Sequence, residues 1–217
     1  KKKKKKKKIT NTHTNAKTKL QMSGPSESVT NDATMLPLST CKKQSFKSSS
    51  STKHEKIELQ DLFKGLVFVA DNFLLQHECV DIIEWAEGWG FEYVQHDATR
   101  YIAQRECGRL QRDCVATASK LWERIEPMIA KVADSLGVPK SRHAVGCNPN
   151  IRLYRYEPGH AFGKHVDKSN STTTGRTELT MLVYLNGGDN KAGQYPLDGG
   201  ATAFYAPHEQ QIEVCRF

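Results

Sequence analysis

The stretch Tyr156-Glu-Pro-Gly-His-Ala-Phe-Gly-Lys-His-Val-Asp167 decides how the sequence is interpreted. Its last part places His165 and Asp167 two positions apart. On an extended segment, residues with this spacing point to the same face and lie about 6–7 Å apart along the strand. One imidazole and one carboxylate then converge on one point, and such a pair with open coordination positions suits non-haem Fe(II). His165 and Asp167 are therefore candidate metal ligands, but an HxD spacing also arises by chance in a chain with eight His and ten Asp, so the assignment depends on the motifs around it.

The sequence around this stretch has the alternating pattern of β-strands. Residues 151–156 alternate, residues 177–186 are dense in β-forming residues, and residues 201–205 and 211–217 continue the pattern. Glycine-rich loops separate these segments. Several short strands with turn signals between them predict an antiparallel sandwich or barrel.

The part of the chain before Asn148 has a mixed pattern. The sequence predicts strands over residues 65–70 and 91–94 and helices over residues 73–88 and 115–136. In the second helix the apolar residues recur at spacings of three and four, as on one face of a helix. The predicted fold class is therefore α+β, with helices first and an antiparallel β domain after them.

Residues 1–56 differ in composition from the rest of the chain. They hold fifteen Lys, no Arg and three acidic residues, a net charge of +12, so the remaining residues carry −4 of the total of +8. Few large apolar residues are present to offset the entropy of ordering. We predict a disordered basic tail over residues 1–56 and a folded domain over residues 57–217. A polyanion such as nucleic acid is a partner that only the Lys-rich tail would contact.

The cysteines and the hydropathy indicate the compartment. None of the six cysteines has CxxC spacing, which argues against a zinc ribbon or a redox motif. No apolar run approaches the length of about 20 residues that spans a membrane. We expect an intracellular protein, cytoplasmic or nuclear.

Three motifs occur in order along the β region. YxxGxxFxxHxD spans Tyr156 to Asp167, a predicted strand ends in Tyr184-Leu-Asn186, and GGxTxF begins at Gly199. Together they resemble the catalytic domain of the prolyl-4-hydroxylase-like 2-oxoglutarate/Fe(II) dioxygenases. The resemblance is strong over residues 148–205 and looser over residues 60–147.

The resemblance implies a fold, an activity and a set of residue roles. The fold is a double-stranded β-helix, a cupin-like jelly roll with supporting N-terminal helices. The activity is hydroxylation of a protein substrate, prolyl residues included, or of a small molecule, with release of succinate and CO2. Fe(II) would be held by His165 and Asp167, and Tyr156 and Tyr184 would line the 2-oxoglutarate site. Oxygen and 2-oxoglutarate are the implied co-substrates, and ascorbate is the implied reductant.

The family pattern also has parts that this sequence does not show. A second iron-binding His and a basic residue that pairs with 2-oxoglutarate are expected beyond Phe217, so the domain over 57–217 is predicted to be incomplete. The fragment alone is then expected to be inactive. Two alternatives stay open: an inactive β-helix binding module with a polybasic tail, and a metal-dependent hydrolase that uses the same two ligands.

Overall fold

The fold is known from a computed structural model of the chain. It describes residues 10–14, 18–22, 36–40, 57–63, 65–139, 143–172, 175–187, 199–205 and 211–215. The described residues form a nine-stranded sheet, two small two-stranded sheets and three helices. The helices are α1 (Pro37–Thr40), α2 (Gln76–Trp89) and α3 (Val115–Ser135).

The strands of the large sheet, in chain order, are β1 (Thr10–Thr14), β2 (Thr18–Met22), β5 (Glu92–His96), β6 (Arg105–Asp113), β7 (Asn150–Arg155), β8 (Ala161–His165), β11 (Val183–Tyr184), β12 (Thr202–Tyr205) and β13 (Gln211–Cys215). The small sheets pair β3 (Leu59–Asp61) with β4 (Phe68–Ala70), and β9 (Ser171–Thr172) with β10 (Gly175–Arg176).

The large sheet curls round on itself. Its strand order is β11-β2-β7-β6-β8-β1-β12-β13, with β5 on the side of β6, and the neighbours pair antiparallel. The Tyr184 hydroxyl on β11 hydrogen-bonds the Thr202 hydroxyl on β12. These strands are first and seventh in the order, so their side chains meet only because the sheet bends into a cup.

The two faces of the sheet have different partners. Apolar side chains on the convex face pack against the three helices, and this main core includes Leu110, Ile151, Leu153 and Val183 together with Leu121 of α3. These residues are nearly or fully buried. The other face forms a second, smaller cluster, which we call the inner face and describe below.

Helix α3 follows the prediction closely. It was predicted over residues 115–136 and is observed at Val115–Ser135, with Ala118, Leu121 and Val132 buried at the expected spacing. It ends where Gly137 takes a φ of +64°, a conformation that glycine adopts at little cost.

Helix α2 begins three residues later than predicted. The Glu78 carboxylate accepts a hydrogen bond from the backbone N–H of Leu75 at 2.9 Å. This contact caps the helix at Leu75, and the predicted cap at residues 71–72 is not used. Its end follows the prediction, since Gly90 at φ +79° terminates the helix.

Two predictions on strands need correction. The long strand predicted over residues 177–186 is reduced to the pair Val183–Tyr184, because residues 177–182 have no ladder partner among the described residues. A nine-residue strand, β6, was not predicted at Arg105–Asp113. Its many charged residues obscure the alternation of apolar and polar residues by which a strand is recognised. In the structure β6 is paired with strands on both sides.

Residues 1–56 are predicted to be a disordered basic tail, and this stays a prediction, although the structure describes three short elements within them, β1, β2 and α1. Strand β1 lies between β8 and β12, and β2 lies between β7 and β11. Leu36 and Leu38 are buried in the main core. Threonine is β-branched and favours strands, and a strand inserted between two others gains backbone hydrogen bonds on both sides. Residues 1–9, 15–17, 23–35 and 41–56, including the Lys run, lie outside the described residues.

The α+β class with antiparallel sheets is confirmed, and the finer assignment to a double-stranded β-helix stays a prediction. None of the described helices combines the length and apolar character needed to cross a membrane.

Candidate metal centre

The site is built on strand β8, which contains a β-bulge. Asn11 of β1 pairs with His165 and His13 pairs with Phe162, so two residues of β8 stand opposite one residue of β1. A bulge of this kind shifts the alternation by one residue. It therefore places Phe162 and His165 on the same face, and their rings stack with centroids 3.8 Å apart.

Gly163 makes the bulge possible and fixes the imidazole. Its N–H donates to the Gln104 carbonyl at 2.7 Å. Its own carbonyl accepts the Nδ1–H of His165 at 2.9 Å. A carbonyl can only accept, so a hydrogen lies on Nδ1, and in the neutral form of the ring the lone pair lies on Nε2.

The Asp167 carboxylate lies close to Nε2 of His165. Its Oδ1 lies 3.3 Å from His165 Nε2, with the two side chains 29% and 13% exposed, respectively. Two donor atoms bound at about 2.1 Å and at a right angle to each other would lie about 3.0 Å apart. The observed separation fits two neighbouring positions on one metal ion, and equally a direct ion pair when the imidazole is protonated. The structure brings together the pair that the HxD spacing indicated.

The inner face is defined by register. Tyr184 stands opposite Lys19, Lys19 opposite Tyr154, and Tyr154 opposite Arg109. Directly opposed residues share a face. Alternation along β6 adds Arg105, which is paired with Phe162. The inner face thus includes Arg105, Cys107, Arg109, Tyr154, Tyr156, Phe162, His165, Tyr184 and Thr202.

Tyr156 lies in the cluster that Phe162 also joins. It is 6% exposed and packs with Tyr154 and Cys107. Burial raises the pKa of Tyr156 well above its usual range, a hydrogen bond with the Cys107 thiol adds to the rise, and the nearby Arg105 charge opposes it. The phenol is therefore a neutral hydroxyl at physiological pH, able to donate a hydrogen bond.

Tyr184 joins two of the sequence motifs. Its hydroxyl contacts that of Thr202, which belongs to GGxTxF and is 1% exposed. The three motifs thus come together on the inner face, with Tyr156 and Tyr184 on its wall. Their predicted role at a 2-oxoglutarate site stays a prediction.

His160, only five residues before His165, belongs to another group. Its Nδ1 accepts the Glu157 N–H at 3.2 Å, and its Nε2 lies 3.7 Å from the Glu106 carboxylate. These contacts keep it apart from the His165–Asp167 pair.

Iron fits the donor set as far as that set is described. A neutral imidazole nitrogen and a carboxylate oxygen are donors that Fe(II) accepts. Among the residues with described side chains, no group of three His, Cys, Asp or Glu side chains is close enough to hold a metal. The third ligand and the basic residue that the resemblance predicts beyond Phe217 stay predictions.

Sequence reasoning missed the residues of the inner face that lie outside the three motifs. Tyr154 had a signal, because it lies two positions before Tyr156 in an alternating run and so shares its face. The β6 residues Arg105, Cys107 and Arg109 had none, since β6 itself was not predicted.

A comparison of the chain with family models, curated proteins and solved structures gives no match. The inner face and the three sequence motifs that meet on it are therefore the features that bear on function.

Proposed function

We propose that this chain carries the core of an Fe(II)- and 2-oxoglutarate-dependent dioxygenase. The observation that carries the proposal is the convergence of His165 Nε2 and Asp167 Oδ1 at 3.3 Å. The resemblance of three ordered motifs to the prolyl-4-hydroxylase-like family supports it. With Fe(II), 2-oxoglutarate and O2 bound, the site would supply the oxidising power to insert one oxygen atom of O2 into a C–H bond, while the other oxygen atom enters succinate and CO2 is released.

The residues of the chain would hold and orient these groups. His165 offers Nε2, because Gly163 retains the hydrogen on Nδ1. Asp167 supplies a negative charge that offsets part of the charge of a divalent cation. The stack of Phe162 on the imidazole fixes the ring plane and covers one side of it. Fixing a ligand in this way lowers the entropy lost when the metal binds.

The walls of the cup would shield the reaction from water. Tyr154 and Phe162 are buried on the inner face, and Tyr156 brings a neutral hydroxyl to it. Tyr156 and Tyr184 are proposed to line the 2-oxoglutarate site. The substrate is proposed to be a protein, prolyl residues included, or a small molecule, and ascorbate is proposed as the reductant.

Metal binding tests the pair directly. We expect the full chain to bind Co(II), a spectroscopic substitute for Fe(II), and His165→Ala and Asp167→Ala each to weaken binding at least tenfold. His160→Ala is the matched control, because its ring contacts Glu106 and not Asp167. Visible absorption and titration calorimetry measure the affinity. Unchanged Co(II) affinity in both site variants would overturn the assignment.

Turnover tests the reaction. In a longer chain that carries the third ligand and the basic residue predicted beyond Phe217, Fe(II), 2-oxoglutarate and oxygen should give succinate, and either site variant should abolish it. Metal binding without succinate would favour the inactive binding module. Hydrolysis that proceeds without 2-oxoglutarate would favour the metal-dependent hydrolase.

A further inference from the structure

The Phe162 ring lies between two groups that come from different strands. The imidazole of His165 stacks on it with the ring centroids 3.8 Å apart and the two planes inclined by 21°. The guanidinium carbon of Arg105 lies 3.6 Å from the same Phe162 centroid. Two groups this close to the centre of one ring would overlap if they shared a face, so the guanidinium occupies the face opposite the imidazole.

The stack of Phe162 on His165 is not the arrangement that two aromatic rings prefer by themselves. Such rings have negative faces and favour offset or edge-to-face pairs with centroids about 4.5–7 Å apart. A nearly parallel pair at 3.8 Å brings two negative faces together. The cation of Arg105 is attracted to the other face of Phe162 and draws the π electrons towards itself, which lowers the repulsion between the stacked rings. The position of the imidazole therefore depends on a charge from another strand.

Arg105 is itself held in place by its neighbours. Its Nη1 donates to the Tyr154 hydroxyl at 3.4 Å, and its guanidinium carbon lies 5.0 Å from the centroid of the Tyr154 ring. Tyr154 is fully buried in the cluster that includes Phe162. The register of the sheet pairs Arg105 directly with Phe162. Contacts with β7 and β8 therefore fix the guanidinium over the ring.

We propose that Arg105 is a positioning residue that acts on His165 through Phe162. The cation holds the Phe162 ring in the stack, and the stack holds the imidazole with its Nε2 towards Asp167. This role rests on the proposed function, in which that nitrogen binds the metal. It gives β6, a strand with no residue in the three sequence motifs, a part in the geometry of the site.

The affinity of the full chain for Co(II), measured by calorimetry, tests this role by the sign of the change. Arg105→Gln should raise the Kd about tenfold, the effect typical of disturbing a group that orients a metal ligand, and Arg105→Lys should recover part of the loss. If Arg105 acted only through its charge, removing it would instead tighten the binding of a divalent cation, because like charges repel. Arg112→Gln is the matched control, because it removes a β6 cation that lies over Trp89, and it should leave the Kd within about twofold of the native value.

A double substitution tests the route through Phe162. The Phe162→Leu chain lacks the stack, so adding Arg105→Gln to it should change the Kd for Co(II) by less than about twofold. An equal loss in that background overturns the proposed role, as does an unchanged or lower Kd in the folded Arg105→Gln chain. Near-ultraviolet circular dichroism checks the folding of each variant. Arg105→Met, which keeps an apolar stem beside the ring, takes the place of the Gln variant if that variant does not fold.

A measurement without metal separates this role from the proposed function. The ring current of Phe162 should move the ring protons of His165 upfield in the NMR spectrum of the native chain. Arg105→Gln should return them downfield, whereas Arg112→Gln should leave them in place. If the native chain does not bind Co(II), the proposed metal function fails, and these shifts still decide whether Arg105 positions the imidazole. Signals of His165 that do not move in the Arg105→Gln chain would show that the cation does not hold the stack.

Discussion

Gly163 links the backbone geometry of β8 to the chemistry of His165. A Cβ at this position would lie 3.3 Å from the Gln104 carbonyl oxygen and 3.4 Å from its nitrogen, tighter than most real contacts. The crowding is against backbone, which yields less readily than a flexible side chain. The bulge, and the carbonyl that holds the imidazole, therefore depend on glycine.

Gly163→Ala should weaken Co(II) binding by roughly tenfold, the effect typical of disturbing a group that orients a metal ligand. The reason is displacement of the carbonyl that accepts the Nδ1–H of His165. Gly146→Ala is the control, because a Cβ there meets nothing within 4 Å. Titration calorimetry compares the two variants, and equal affinities would show that the bulge does not position the ligand.

The sequence predicts which residues of one strand share a face, but it does not predict which residues of other strands lie beside them. The HxD spacing indicated that His165 and Asp167 share a face, because period two is a property of any extended backbone. Arg105 comes next to Phe162 only through the pairing of β6 with β8. Pairing between strands more than 50 residues apart is decided by the whole fold, so one sequence contains no local signal for it.

Helices α2 and α3 are joined by a buried ion pair. Glu78 is 6% exposed and accepts Arg124 Nη1 at 2.7 Å, while the same Arg124 nitrogen donates to the Phe73 carbonyl at 3.2 Å. Burial alone would raise the pKa of the Glu78 carboxyl. Hydrogen bonds from Arg124 and from the Leu75 N–H, with the Arg124 charge, outweigh burial and hold that pKa below its ordinary 4.5.

Glu78→Gln should lower the free energy of unfolding by on the order of 3 kcal/mol, because it leaves a partly buried guanidinium without its anion. Asp81→Asn, an exposed acid of the same helix, should change it by less than about 0.5 kcal/mol. Since the folded pKa of Glu78 is depressed, its contribution is present above pH 4.5 and is lost as the pH falls through the folded pKa. Urea denaturation at pH 7 and pH 3.5 measures both effects, and an equal loss for the two variants would contradict the assignment.

The position of strand β1 inside the large sheet can be tested with a proline substitution. It is flanked by β8 and β12, so its N–H groups face a neighbour on one side or the other. Proline lacks the N–H and disturbs a central strand, whereas alanine keeps it. Thr12→Pro should therefore speed amide hydrogen exchange in β8 and β12, and Thr12→Ala should not. Unchanged exchange in the proline variant would show that β1 is not part of the sheet.

Elements differ in how far the sequence predicts them. Helix α3 was predicted to within a residue of each end, because one apolar face over five turns is a strong periodic signal. Residues 177–186 have high β propensity but only Val183–Tyr184 are paired. Propensity describes what a residue tolerates, whereas a strand also needs a neighbour with free backbone groups, and the local sequence does not supply that information.

For the molecule as a whole, the curl of the sheet separates two environments. The convex face and the helices form one continuous apolar core, and the inner face holds the charged and phenolic groups. Two thiols, Cys79 and Cys147, pack against the main core, and burial raises the pKa of each to about 11. They therefore report on whether that core is intact.

Both thiols should resist alkylation at pH 8 in the folded chain and react quickly in urea, because the reactive thiolate is scarce while the core is closed. Their folded pKa lies above the ordinary value of 9.0, so the stability that they contribute is complete below pH 9 and is lost as the pH rises towards 11. The free energy of unfolding should fall across that window, and less steeply in the Cys79→Ala, Cys147→Ala double variant. Iodoacetamide labelling with peptide mapping and urea titrations at pH 8 and 10.5 measure the two effects. Labelling at pH 8 that is as fast in the native chain as in urea would mean that the helices do not cover the convex face of the sheet.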